Sequence, residues 1–163
     1  MFRSIAVALL AVVLSTAAEA KVFKLGSPVV ASVDLPANWK PEEIDGGVEA
    51  VSPDEEIYVA VEVAGVSSTE KAILEAFAFL EKEGVKVDDK PVKQTEGKIN
   101  GMPVFEIAAK GKDEDGNDAE VSVAAVVVSE TTILLLTYWG TPEGEKTHAA
   151  ALAKIAQSLK RAN

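Results

Sequence analysis

Ala124-Ala125-Val126-Val127-Val128, followed across Ser129-Glu130-Thr131-Thr132 by Ile133-Leu134-Leu135-Leu136, is apolar on both sides of an extended chain. Successive side chains of a strand point to opposite faces of its sheet. A pair of strands with no polar face therefore needs cover above and below. With their flanks, residues 120–128 and 133–139 read as adjacent strands at the heart of a sheet, joined by the short polar connection between them.

The cover is found on either side in the sequence. Residues 142–161 form an amphipathic pattern in which His148, Leu152, Ile155 and Leu159 share a stripe, and Lys160 and Arg161 suit the negative end of a helix dipole. Upstream, Ser67-Ser68-Thr69-Glu70 opens a second helical pattern. Ser67 and Glu70 have the spacing of a capping box. Ile73, Phe77 and Leu80 sit one above another, Leu74, Ala76 and Phe79 widen the stripe, and Gly84 provides a stop.

Further strands lie before and between these helices. Residues 29–35 alternate and end at Pro36. Residues 48–51 and 57–63 flank Ser52-Pro53-Asp54-Glu55 as a hairpin, with Ile57, Val59, Val61 and Val63 on one face and Tyr58, Ala60 and Glu62 on the other. Residues 93–99 and 102–109 flank Asn100-Gly101, a dipeptide that accepts the positive φ of tight turns. Residues 37–47 read as irregular and 85–91 as a polar connection. The sum is an α+β fold: an α/β/α sandwich whose central antiparallel sheet has about six or seven strands, with helices on both faces.

The amino terminus has another character. Arg3, an apolar run over residues 5–14, and Ser-Thr-Ala-Ala-Glu-Ala form a cleavable export signal over residues 1–20. The run is about half the length that a membrane-spanning helix needs, so no integral anchor is expected. Ala18 and Ala20 suit a cut after Ala20, and a cut after Ala18 is the alternative. Residues 21–163 then form a single domain in the periplasm or the medium. The chain has no cysteine, which excludes a lipidated cysteine, disulfides, a thiol nucleophile and a thiolate metal site.

A formal net charge of −10 opposes nucleic acid, whose binding rests on cationic side chains, and opposes docking on anionic lipid. It suits solubility in a crowded compartment or, alternatively, an acidic face that steers a basic protein partner. One histidine cannot form a zinc pair on a helix, and neither a G-x-S-x-G elbow nor a phosphate loop is present. No catalytic residue, cofactor or metal site is therefore expected. The carboxylates of Asp113, Asp115 and Asp118 are the right kind for calcium, but the glycine spacing is not that of an EF-hand, and a solvated hairpin tip accounts for them. Trp39, Phe105, Trp139 and His148 are the candidate ligand or partner contacts, the first three as walls of a pocket for a small apolar ligand. His148 is otherwise a half-buried packing residue, or the base of a hydrolase.

Three segments together carry a resemblance. Val33-Asp34-Leu35-Pro36-Ala37-Asn38-Trp39 is a strand ending in L-P-x-x-W. Ile99-Asn100-Gly101-Met102-Pro103 is an ING-x-P turn. The chain then ends on a long apolar hairpin and a helix closing at Ile155-Ala156-Gln157-Ser158-Leu159-Lys160. In this order they resemble the PsbP-like superfamily, including its small bacterial secreted members, over residues 22–160. The resemblance implies an α/β/α sandwich and carries no shared catalytic residues. It implies a binding or assembly module whose partner is another protein, and nothing in the chain points to photosynthesis.

Overall fold

A computed structural model describes residues 19–88 and 93–162. The expected export signal lies outside these residues except for Glu19 and Ala20, and so does Asp89. In chain order the elements are β1 (Ala20–Leu25), β2 (Ala31–Pro36), β3 (Glu42–Ile44), β4 (Gly47–Val51), β5 (Ile57–Gly65), α1 (Thr69–Lys82) and β6 (Lys86–Val87), then β7 (Lys93–Ile99), β8 (Met102–Lys112), β9 (Asp118–Val127), β10 (Thr132–Gly140), α2 (Pro142–Ser158) and β11 (Lys160–Arg161).

The apolar hairpin β9–β10 stands in the middle of a sheet of eight described strands, ordered β3-β4-β5-β10-β9-β8, with β7 and β6 sharing the far side of β8. Every pairing is antiparallel. On one face lies α1: its Leu80 packs with Tyr58, Ala60 and Val121, and its Ile73 and Ala76 with Val123 and Leu135. On the other face lie α2 and a small sheet of order β1-β2-β11. There Phe23, Val33, Leu35 and Trp39 meet Val59, Val61 and Leu134, and Ala151, Leu152 and Ile155 of α2 close the layer. The sheet is covered on both sides, as its double-sided apolar strands require. None of the described helices is long and apolar enough to cross a membrane.

The α/β/α arrangement agrees with the sequence reading, and its details differ in five places. The main sheet has more strands than six or seven because Glu42–Ile44 and Lys86–Val87 add short edge strands. A second sheet exists because Phe23 and Leu25 alternate with Lys24 and point inward, a period-two signal crowded against the end of the export signal. Lys160 and Arg161 do not close α2. They pair with Ser32 and Ala31 as β11. The Ser67–Glu70 capping box does not form: α1 starts at Thr69, and the hydroxyls of Ser68 and Thr69 donate back to the carbonyls of Gly65 and Val66. Leu74 and Phe79 do not widen the buried stripe of α1, being 64 % and 38 % exposed.

Candidate functional site

Two grooves flank the main sheet. The first, of about 530 Å³, runs between α2 and the end of β2, lined by Pro36, Trp39, His148, Ala151, Lys154 and Ile155. Trp39 is fully buried at its base, and its ring meets that of His148 edge-on at 5.3 Å and 83°. His148 Nε2 lies 2.8 Å and 2.9 Å from the carboxylate oxygens of Asp54 in the β4–β5 turn. The Ser52 hydroxyl donates to Asp54 at 2.6 Å and accepts from the amides of Glu56 and Ile57. The Asp54 carboxyl is lowered to about 2, first by the Ser52 hydrogen bond, which with His148 outweighs desolvation.

This polar set is closed on itself. Ser52 is buried and commits its proton to Asp54, so it is not a nucleophile presented to His148. At the far end of the groove the Ser158 hydroxyl accepts from the Asp34 amide and donates to the Ile155 carbonyl, both at 2.8 Å. The His148–Asp54 contact fastens the β4–β5 turn to α2. It lacks the nucleophile–base contact that covalent hydrolysis requires.

The second groove, of about 710 Å³, lies on the opposite face between α1 and the strands β4, β5 and β10. Ala72, Ala76 and Phe79 of α1 and Leu135 give it an apolar lining, into which Glu49, Tyr58, Glu62 and Thr137 bring polar atoms. Strand register fixes the floor. Glu49 pairs with Ala60, and Ala60 with Thr137, so a carboxylate and a hydroxyl flank the smallest side chain of the row. The Tyr58 hydroxyl donates to Glu49 at 2.8 Å. Burial, and then that hydrogen bond, push its own titration far above the ordinary phenol range. Glu62 is raised by desolvation first, then by the charges of Glu49 and Asp45.

Thr137 is the anomaly. It is 3 % exposed, and its Oγ1 has no hydrogen-bond partner. It is the sole buried side-chain polar atom left so among the described residues. A buried hydroxyl without a partner is costly, and the residue that carries it lines a groove.

The four residues singled out in the sequence divide between the faces. Trp39 and His148 meet in the first groove. Phe105 packs against the Ile73–Val123 cluster and Trp139 against Leu80, Val85 and Val121, both on the α1 side. The sheet therefore separates Trp39 from Phe105 and Trp139, and no single pocket holds all three. Tyr138 and Trp139 likewise face opposite ways, because adjacent strand residues do. Tyr138 bonds Glu145 of α2 at 2.7 Å. The second groove was missed in the sequence, although its signals were present. Glu62 interrupts Val59-Ala60-Val61-Glu62-Val63, and Thr137 interrupts the apolar strand that follows Ile133.

In the acidic turn, Asp113 accepts from the amide and side chain of Asn117 at 2.8 and 2.9 Å, and Asp118 pairs with Lys112 at 2.6 Å. Among the described residues no group of three His, Cys, Asp or Glu side chains is placed to hold a metal ion.

No family model matches the chain, and no curated protein matches it. Solved structures do. The cyanobacterial PsbP (CyanoP) of Synechocystis sp. PCC 6803 superposes with a TM-score of 0.59 at 8 % identity, over 89 % of this chain and 94 % of that one. LpqN of Mycobacterium tuberculosis, involved in cell envelope biogenesis, superposes with a TM-score of 0.51 at 14 % identity, over 82 % and 83 %. The chain has a PsbP-like fold. At these identities the likeness is one of fold, and function must come from the site.

Proposed function

We infer that this chain is a non-enzymatic binding module that works outside the cytosol and docks another protein in the groove between α1 and the sheet. The observation that carries this is Thr137: a hydroxyl buried under an open groove, with no partner of its own, fits a surface completed by something else. The export pattern of residues 1–20 and the cell-envelope role of LpqN support the location. A net charge of −10 favours a basic partner. Against catalysis stands the arrangement around the single histidine: the Ser52 hydroxyl donates to the same Asp54 carboxylate that meets the ring, and not to the ring itself. A carrier of a small apolar ligand is supported less, since Trp39, Phe105 and Trp139 lie on opposite faces.

The test is photo-crosslinking from two exposed positions in the extracytoplasmic fraction of the host. A photoreactive residue replacing Glu75, at the rim of the α1 groove, is expected to give one adduct of discrete mass. The same residue replacing Ala150, at the rim of the α2 groove, is expected to give none. Adducts from Ala150 alone, or turnover by the purified protein, would overturn the reading.

A further inference from the structure

The groove between α1 and the sheet has a preference in charge as well as in shape. In the row Glu49–Ala60–Thr137 the two polar ends are separated by one methyl group. With neighbouring strands about 4.8 Å apart, the Cα atoms of Glu49 and Thr137 are roughly 10 Å apart, a gap that one cationic group fills. Glu62 stands in the next row opposite Leu135. Tyr58 and Phe79 form an aromatic corner over this floor, their ring centres 5.9 Å apart. Lys71 lines the same groove but is held by Glu75 at 2.8 Å. No basic side chain among the described residues is ion-paired with Glu49, Glu62 or Asp45.

Resting on the docking role above, we propose that this groove receives a basic side chain of the partner polypeptide, its charge between Glu62 and Glu49, one N–H donated to Thr137 Oγ1, and its stem against Tyr58 and Phe79. Each element of the floor then gains what it lacks. The hydroxyl gains a donor, the crowded carboxylates gain a counter-charge, and the aromatic faces gain a cation. An apolar side chain would leave Thr137 unpartnered, and an acidic one would be repelled. A polypeptide is favoured over a free amine because the groove, of about 710 Å³, is far larger than one cationic head group, and Ala72, Ala76 and Phe79 give it an apolar lining that a chain covers and a small amine does not.

The test compares N-acetyl-lysine N-methylamide with N-acetyl-norleucine N-methylamide, which keeps the apolar stem and removes the charge, by NMR titration of the folded protein. The lysine probe is expected to bind at least roughly tenfold tighter, the scale of a charge-assisted hydrogen bond. Glu62→Gln and Thr137→Val are each expected to weaken it several-fold. Neither deletion should unfold the chain, since one removes a crowded charge and the other an unpartnered hydroxyl. The melting temperature checks this, and Glu49→Gln serves as a second variant. Equal binding of the two probes would overturn the charge preference while leaving the docking role intact. The same holds if neither probe moves groove resonances but Glu75-position cross-links persist. Loss of those cross-links as well would overturn both.

Discussion

Glu62 and Asp54 show opposite uses of a carboxylate. Glu62 is raised by burial and by its acidic neighbours Glu49 and Asp45. Below the ordinary carboxyl range both folded and unfolded chains hold its proton, and the group is neutral to stability. As pH rises through the raised folded value, the native state must carry a charge that the unfolded chain carries more easily, and the penalty is then fully present. Glu62→Gln is therefore expected to raise the melting temperature at about pH 7 by roughly a few degrees, the effect being limited by solvent at this half-exposed site. The gain should vanish at about pH 3, where both states hold the proton. A stabilising change that weakens binding is the signature of a residue kept for contact. Asp54 is the reverse, lowered to about 2 mainly by Ser52. Its contribution is present above the ordinary carboxyl value and lost as pH falls through about 2. The melting temperature of Asp54→Asn should fall below the parent's at about pH 5 to 7 and converge with it near pH 2. Glu62 was visible in the sequence as a single carboxylate among apolar residues, and Asp54 as the first of a run of acids in a turn. Their roles were not, because each depends on neighbours from another strand or from a helix far along the chain.

The second helix is held at both ends by residues from elsewhere. At its start the Thr141 side chain accepts from the Gly144 amide at 3.0 Å, and the Thr141 amide donates to the Glu56 carbonyl at 3.0 Å. Gly144 is seated so closely that a Cβ there would lie 2.9 Å from that same carbonyl oxygen. Thermal melts should show Thr141→Ala costing about 1 kcal/mol, as for a lost cap, and Gly144→Ala about 1–3 kcal/mol through overpacking. At its end, Asn100 of the β7–β8 turn donates to the carbonyls of Ala156 and Leu159 at 2.8 and 2.7 Å. Asn100 also has a φ of +49°. Asn100→Gly keeps the backbone freedom and loses the bonds, costing about 1 kcal/mol. Asn100→Asp should cost more, because it also sets a negative charge against the helix C-terminus. The turn was legible from Asn100-Gly101, since positive φ is a local demand. The cap was not, since the carbonyls it reaches lie more than fifty residues away in sequence. The failure at the start of α1 is local instead: Ser67–Glu70 fits a capping box, but Ser68 and Thr69 found acceptors three residues back, in the turn that leaves β5.

Across the molecule, one sheet separates two chemistries. On the α2 side the Ser52 hydroxyl and the His148 ring both bond Asp54, the Ser158 hydroxyl bonds the backbone of Asp34 and Ile155, and Trp39 is sealed beneath. The α1 side is open, with a hydroxyl unpartnered and carboxylates facing a groove. The layered architecture was legible because strands without a polar face demand two covers, and two amphipathic segments supplied them. The assignment of candidate residues to faces was not, because side alternates at every step along a strand and the register that orders the rows is a property of pairs. The central claim is that the α1 groove is the working surface. It is tested most directly by following the methyl resonance of Thr137 while N-acetyl-lysine N-methylamide is titrated into the folded protein. A saturable shift of that methyl, with the His148 ring and Trp39 indole signals unmoved, is the expected result. A still Thr137 methyl with shifting His148 and Trp39 signals would place the working surface on the other face and contradict the claim.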